Sequence, residues 1–262
     1  MNKAIFSAAA LALSLSASAI ASPVNVGGVV WDPDSFFDFT SNSNLVEDLL
    51  DAGADGVFGT ADDVVDTLSG FGLVTGLNGT NQSTFCPSGC ELTFEFGGFE
   101  IASVIPDGGG ARLGFTGGWI NFYVDSSTAY SALDKSTAVD GGTPWLSLQA
   151  HETFSGIHGI MTSIDATLSS YGAGTDAGLG GGLLDVVGGA AMGNFDTDTQ
   201  TDGADWVFST SFQPIPSGAT PDGLELFGTA DFRGSSIPEP SSIAILGLGL
   251  LGLAGASRRR QK

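Results

Sequence analysis

Hydrophobic and polar residues alternate along much of this chain with the period of two that is typical of a β-strand. The clearest case is residues 91–96, where Leu92, Phe94 and Phe96 fall on one face and the glutamates on the other. Similar runs, rich in aromatic and β-branched residues, recur along the chain, and glycine clusters separate many of them. The other predicted strands are 24–31, 99–105, 119–124, 145–153, 160–168, 206–212 and 224–232.

Helical spacing of apolar residues is confined to short segments. Residues 44–50 are predicted as a short helix, because their leucines and valine fall at helical spacing behind Ser43 as an N-cap, and a turn of helix is predicted at 127–135. The glycine-rich stretch 172–193 predicts a long loop that contains one buried strand. The whole pattern predicts an all-β single domain, an antiparallel β-sandwich or jelly roll with one or two short helices.

The N-terminal end of the chain has the order of features of a secretory signal peptide. Residues 1–3 are a basic start, and residues 4–15 form a stretch rich in leucine and alanine. Ala19 and Ala21 supply the small residues of a signal peptidase site. We therefore expect residues 1–21 to be removed and the chain to be exported, rather than held by a permanent transmembrane segment.

The C-terminal end, residues 236–262, carries a second apolar segment. Pro238, Glu239 and Pro240 come first, and an apolar run at 243–256 follows. The chain then ends in a basic cluster that includes Arg258, Arg259 and Arg260. Arginines stay on the cytoplasmic side of a bilayer, but the apolar run is shorter than the roughly 20 residues of a full membrane span. A processed sorting signal fits this tail better than a permanent anchor does.

This order of PEP tripeptide, apolar run and arginine cluster resembles the PEP-CTERM sorting signal of Gram-negative bacteria, which the membrane protease exosortase handles. The resemblance implies that the tail holds the chain briefly at the inner membrane before the chain reaches the cell surface or the extracellular matrix. As a family, proteins with this tail are associated with exopolysaccharide, biofilm and floc formation. Residues 25–35 together with 85–98 resemble a flocculation-associated subgroup.

Residues 22–235 remain as a single acidic extracellular domain. Its cationic side chains are Arg112, Lys135 and Arg233, set against nearly all of the 29 acidic residues of the chain. A surface this negative repels nucleic acid and anionic lipid, so nucleic acid is not an expected partner. Such a surface attracts cations, and divalent ions could bridge it to an anionic polymer. The alternative is an acidic surface that only keeps the protein soluble.

Cys86 and Cys90 flank the sequence Pro-Ser-Gly, which is typical of a tight turn. Because an exported protein meets an oxidising compartment, we expect a disulfide between the two cysteines. A metal site and a redox pair are the alternatives, although two thiols alone cannot complete a tetrahedral zinc site.

Two aspartate-rich segments match part of the calcium-loop template, in which oxygen ligands surround a central glycine. In the first segment, Asp51, Asp55 and Asp62 fall at the first, fifth and twelfth positions of the template. In the second, Asp198 and Asp202 fall at the first and fifth positions, but the twelfth is not a carboxylate. Calcium is therefore the predicted ion, and the alternative at each segment is a polar turn whose side chains cap their own backbone.

Enzyme signatures are sparse in the sequence. His151 and Glu152 begin like a zinc-protease motif, but Ser155 occupies the position of the second histidine. No Ser lies in a GxSxG pattern, and the chain has two histidines. We therefore predict a protein that is not an enzyme.

The predicted function is an exported surface or matrix protein that associates with extracellular polysaccharide, assisted by calcium. Exposed tryptophans such as Trp31 or Trp145 are expected to stack on sugar rings, whereas core packing is expected for Trp119 and Trp206. One alternative is a carbohydrate-binding module without a role in adhesion. Another is a carbohydrate-processing enzyme that uses paired carboxylates on a jelly-roll face.

Overall fold

The computed structural model describes residues 22–35, 37–51, 61, 64–140, 142–170, 176–216, 218–221 and 223–237. Residues Pro23–Ile237 form one compact unit. Its strands are β1 (Val24–Val26), β2 (Val29–Trp31), β3 (Phe37–Asp51), β4 (Val64–Leu73), β5 (Gly76–Leu77), β6 (Thr80–Asn81), β7 (Glu91–Asp107), β8 (Gly110–Thr116), β9 (Trp119–Asp125), β10 (Leu146–His151), β11 (Thr153–Ser155), β12 (Ile160–Thr162), β13 (Ile164–Ser170), β14 (Ala177–Gly188), β15 (Trp206–Pro214) and β16 (Leu226–Gly234). The described helices are α1 (Gln82–Phe85), α2 (Met192–Phe195) and 3-10 turns at Lys135–Ala138 and Thr201–Gly203.

The main sheet closes on itself. Eight strands pair antiparallel around a ring, in the order β3, β4, β7, β8, β13, β14, β15, β16 and back to β3. Strands β9 and β10 make a second connection between β7 and β14. The all-β prediction is confirmed, but a sandwich or jelly roll is not clearly formed. Because β4 pairs with both β3 and β7, the sheet has no gap there that would separate two stacked layers.

Several predicted strands are present with altered bounds. Those predicted at 119–124, 206–212 and 224–232 are β9, β15 and β16, and those predicted at 24–31, 145–153 and 160–168 are each divided into two strands. The strands predicted at 91–96 and 99–105 are the single strand β7. The alternation on β7 is as predicted, with Leu92 and Phe94 buried in the core.

The ring forks where β7 changes partners. Glu91–Gly97 pairs with β9, and Glu100–Asp107 pairs with β8. The turn from β8 to β9 meets this point at Gly118, which has a φ of 109° and would place a Cβ 2.1 Å from the Phe99 ring. A side chain is excluded there by both the backbone angle and the space, so the fork depends on glycine.

The predicted helix at 44–50 is wrong, because these residues belong to β3. Leu45 faces the main core, while Val46 faces a second cluster on the outside of the sheet with Phe71, Ala138 and Leu224. Burial on both faces of the strand breaks the period-two alternation, and the apolar pairs at 45–46 and 49–50 then imitate helical spacing in the sequence.

The second predicted helical turn, at 127–135, is also absent. The Asp125 carboxylate accepts hydrogen bonds from the amides of Ser127 and Thr128, and a 3-10 turn begins only at Lys135. Polar side chains that bond to nearby amides in this way compete with helix formation. Among the described residues, no helix combines the length and the apolar character needed to cross a membrane.

The predicted long loop at 172–193 is largely the strand β14, Ala177–Gly188. Its glycines mark close backbone approach rather than a turn. A Cβ on Gly182 would lie 2.1 Å from the Ser163 carbonyl oxygen of the neighbouring strand segment. The glycine content therefore reflects packing between strands.

Aromatic side chains fill one end of the ring interior. Trp31 stacks on Phe195 with ring centroids 5.0 Å apart and meets the edge of Trp145 at 5.9 Å. The Trp145 Nε1 donates a hydrogen bond to the Val26 carbonyl oxygen at 2.9 Å. The prediction that Trp31 and Trp145 are exposed is therefore wrong, because the β1–β2 hairpin is anchored to the core through them.

Candidate binding face and aspartate loop

The outer surface of β9, β10 and β14 carries a row of aromatic and polar side chains. Trp119 pairs with Gln149 across β9 and β10, and Gln149 pairs with Asp185 across β10 and β14. Neighbouring strands lie about 4.8 Å apart, so the row spans roughly 10 Å from Trp119 to Asp185. Asn121 and His151 lie on the same surface. We call these five residues, Trp119, Asn121, Gln149, His151 and Asp185, the binding face.

Strand alternation places these side chains outside. Ile120 and Leu148, which alternate with them, are buried in the core. The Trp119 side chain is 37% exposed, and its indole lies against Gly98, where an added Cβ would be 3.3 Å from the ring. Gly97 of β7 pairs with Trp119, and because glycine has no side chain it leaves room beside the indole. The prediction of core packing is wrong for Trp119 and right for Trp206, which is buried.

Hydrogen bonds and charge fix the polar part of the binding face. The His151 Nδ1 lies 2.8 Å from an oxygen of the Asp185 carboxylate. At the border of the face, the Tyr123 hydroxyl donates to Glu95 at 2.7 Å, and Lys135 Nζ lies 3.8 Å from the other Glu95 oxygen. Burial and this bond to Glu95 raise the pKa of Tyr123, so its hydroxyl stays protonated. These groups present fixed donors and acceptors beside an open aromatic surface.

The aspartate loop, residues 196–205, follows α2. Ligand oxygens of Asp196, Asp198 and Asp205 all lie within 4.8 Å of one another. Asp205 is only 3% exposed, and its Oδ1 accepts hydrogen bonds from the amides of Thr197 and Asp198 at 2.5 and 2.7 Å. Its Oδ2 accepts from the Val186 amide at 2.7 Å. Asp205 therefore fastens the loop to β14, while Asp196 and Asp198 are exposed.

This loop borders the binding face. The Asp205 amide donates to the Leu184 carbonyl oxygen at 3.0 Å, and Trp206 pairs with Leu184. In this register Asp205 lies beside Asp185, at the end of the row that begins at Trp119. The aromatic surface and the carboxylate group are thus neighbours on one side of the molecule.

The predicted calcium ligands are placed differently from the template. Asp198 belongs to the carboxylate group, but Asp202 does not, and Asp202 lies in a 3-10 turn with a φ of 58°. The residues that join Asp198 are Asp196 and Asp205, which the twelve-position template passed over. Asp51 ends β3, and its side chain lies outside the described part of the structure, as do Asp55 and Asp62.

The two cysteines lie together at the N-terminal end of β7. Cys86 and Cys90 form a disulfide with their Sγ atoms 2.05 Å apart, and both are buried. The bond closes the turn after α1, beside Gly28 of the β1–β2 hairpin, where an added Cβ would lie 3.7 Å from the Cys90 Sγ. This arrangement is that of a structural crosslink.

Two surface clefts of about 270 and 280 Å³ lie away from the binding face. The first is lined mainly by Leu133, Ile215 and Phe227, and the second by Ser211, Gln213 and Thr229. Among the residues that the structure describes, no carboxylate lines either cleft, so these residues do not offer the paired acids of a glycoside hydrolase there.

The sequence did contain a signal for Trp119. In the run 119–124, Trp119 shares its phase with Asn121 and is out of phase with Ile120 and Phe122. Alternation by itself therefore assigns Trp119 to the polar face. Its neighbours Gln149 and Asp185 were not identifiable, because their register depends on pairing between strands far apart in the chain.

Residues 236–260 match the family model of the PEP-CTERM protein-sorting motif. The match confirms the resemblance for about a tenth of the chain and includes the predicted residues Pro238–Pro240 and Arg258–Arg260. Apart from its first two residues, this tail lies outside the described residues, as do Ala19 and Ala21. Searches of curated proteins and of solved structures find no match. The chain thus carries the sorting motif of an exported protein that exosortase processes.

Proposed function

We propose that this chain is a matrix protein that binds extracellular polysaccharide through the binding face and does not modify it. The row from Trp119 through Gln149 to Asp185 carries the proposal. An exposed indole provides a flat apolar surface for the CH face of a sugar ring, and amide and carboxylate groups beside it can bond to the hydroxyls. The row extends across three strands, so it can contact more than one sugar unit, as binding to a polymer requires.

Export and sorting place this face outside the cell. Signal peptidase removes residues 1–21 after Ala21, the tail tethers the chain to the inner membrane, and exosortase cuts near Pro238. The released domain then joins the extracellular matrix of a biofilm or floc. The sorting motif supports this route, because it is the address of a processed and exported chain.

Charge narrows the choice of polysaccharide. The acidic domain repels an anionic polymer at long range, so direct stacking on Trp119 favours neutral sugar units. Calcium bound by Asp196, Asp198 and Asp205 would cancel most of the negative charge of these three carboxylates, and its remaining coordination positions would admit anionic units. Three carboxylates fall short of the six to eight oxygens that calcium takes, so water or sugar hydroxyls would supply the rest.

A polysaccharide-modifying enzyme is the second candidate. It would need two opposed carboxylates with a sugar between them. Within the aspartate loop the carboxylate oxygens lie within 4.8 Å of one another, closer than the roughly 5–5.5 Å of a retaining pair, and Asp205 already accepts hydrogen bonds from three backbone amides. This occupancy favours a structural role for Asp205 over acid or base catalysis.

Substituting the exposed tryptophan tests the face directly. We expect Trp119→Ala to weaken binding to the native extracellular polysaccharide at least tenfold, because stacking on the indole is lost, while the variant remains folded at the temperature of the assay. Phe154→Ala is the matched control, since Phe154 is 68% exposed on the separate β11–β12 hairpin. Co-sedimentation with the purified polymer measures the binding of both variants. Equal binding by the parent and both variants would remove the face from the proposal.

Thermal unfolding of the full chain in EDTA and in 1 mM calcium tests the ion. A site with a dissociation constant of about 10 μM would add about 2.7 kcal/mol. For a domain of this size that corresponds to a rise of about 5–10 °C in Tm.

The variants separate the loop's structural role from metal binding. Asp196→Asn/Asp198→Asn should abolish the calcium shift and leave the Tm in EDTA near the parent value. Asp205→Asn should lower the Tm in EDTA as well, because an amide nitrogen cannot accept the bonds from the loop. If calcium does not change the Tm of the parent chain, the calcium part of the proposal is removed and polysaccharide binding would not involve an ion.

A further inference from the structure

We propose that the interior of the closed ring binds a small primary alkylammonium ion, held by the carboxyl group of Glu47. A ring of eight strands encloses a space that packed side chains fill or that one small ligand can occupy. Here the space is not completely filled, and the carboxyl group of Glu47 lines both of its cavities. This site is independent of the binding face on the outer surface.

Glu47 lies in the middle of β3, where it pairs with Gly70 of β4 and Leu226 of β16. Its side chain is 1% exposed, and the buried Oε1 accepts no hydrogen bond. A buried polar atom without a partner is destabilising by about 1–3 kcal/mol. Such an atom marks the place where a ligand would add the missing bond.

Two cavities of about 30 and 20 Å³ adjoin this carboxyl group. Glu47, Leu68, Ile164 and Thr210 line both of them, and most of the remaining lining is apolar. A cavity holds a water molecule once it offers about 10–15 Å³. Together the two spaces suit a ligand of a few heavy atoms, with one polar head at Glu47 and a short aliphatic tail.

Neighbouring charges favour a cationic head. Asp176 lines the second cavity, and Asp48 follows Glu47 along β3. Burial, together with the negative charges of Glu225 and Asp176, raises the pKa of Asp48. The carboxyl groups at this end of the ring favour a negative potential, which attracts an ammonium group and repels a carboxylate or phosphate.

Binding would exchange one proton. Burial, with a smaller contribution from Asp48, raises the pKa of Glu47 to about 8, so the empty site holds a neutral carboxylic acid at pH 7. The ammonium ion keeps its three N–H bonds, and Glu47 loses its proton to solvent and becomes the carboxylate partner. The apparent affinity should consequently rise about tenfold for each pH unit up to about pH 8.

The first experiment measures the Tm of the full chain with methyl-, ethyl- and propylammonium chloride, against potassium chloride at equal ionic strength. We expect a rise of several degrees with at least one of these ions. Tetramethylammonium has the same charge but is bulkier and lacks N–H donors, so it should have no effect. Glu47→Gln should lose the response, and Glu100→Gln, which changes an exposed glutamate of β7, should keep it.

Calorimetry at pH 7 in two buffers with different ionisation enthalpies supplies a second readout on the unmodified chain. Release of about one proton per bound ion is the expected result. A parent chain that shows no Tm shift and no heat with any of the three ions would overturn the proposal and leave water as the occupant. An equal shift in Glu47→Gln would also overturn it, because the ion would then bind elsewhere.

Discussion

At the scale of single residues, the ionisation of Glu47 makes the stability of the fold depend on pH. Burial raises its pKa from 4.5 to about 8. In this pH interval the unfolded chain gives up a proton that the folded chain retains. The contribution of Glu47 to stability is therefore highest below about pH 4.5, falls by at most about 1.4 kcal/mol per pH unit up to pH 8, and then levels off.

Glu47→Gln should remove this dependence on pH. The difference in free energy of unfolding between variant and parent should grow in favour of the variant from pH 5 to pH 8, as measured by urea denaturation at each pH. Glu100→Gln serves as the control and should track the parent, since Glu100 is exposed. A constant difference between parent and Glu47→Gln would show that Glu47 titrates normally in the folded state.

At the scale of secondary-structure elements, β14 connects the two branches of the fork. It pairs with β13 and β10 on one edge and with β15 on the other. This central position explains its composition, because glycines allow the neighbouring backbones to come close along its length. Substitutions on this strand should therefore differ in cost according to the space at each glycine.

Gly182→Ala should destabilise the fold by about 1–3 kcal/mol, because the new Cβ would meet backbone that cannot move freely. Gly188→Ala lies on the same strand, and its nearest contact would be an ordinary 3.7 Å to the Ser147 Cβ. That variant should unfold within about 0.5 kcal/mol of the parent. The midpoints of urea denaturation compare the stabilities of the two variants. Similar losses of stability at both positions would contradict this account of β14.

At the scale of the whole molecule, the sorting tail and the acidic domain have separate tasks. The motif at residues 236–260 directs processing, and the acidic domain carries the candidate binding face on β9, β10 and β14. We expect an acidic surface with three cationic side chains to repel nucleic acid and anionic lipid. The expected partners are therefore neutral, cationic or bridged by cations.

Replacing Pro238, Glu239 and Pro240 with alanine should stop processing while the ring still folds. The variant is expected to accumulate at the inner membrane with its tail intact, and the parent should be found outside the cell without it. Mass spectrometry of each cell fraction measures the C-terminus. A variant released and cut like the parent would place the recognition signal outside these three residues.

Only part of the fold and of the candidate site could be predicted from the sequence, and the reasons differ from residue to residue. Alternation identified β7 and β9 because one face of each is buried and the other is polar. It failed at 44–50, because Leu45 and Val46 are buried on opposite faces. It also could not show that Trp31 meets Trp145, since that contact joins residues more than a hundred positions apart.

By itself the sequence determined the features that depend on neighbouring residues. These are the strand alternation, the acidic charge, the closely spaced cysteines and the sorting motif, which is read as a linear segment. Tertiary structure decided the closure of the sheet, the row from Trp119 to Asp185 and the burial of Glu47. Each of these depends on register between distant strands, and a shift of one residue would turn every side chain to the opposite face.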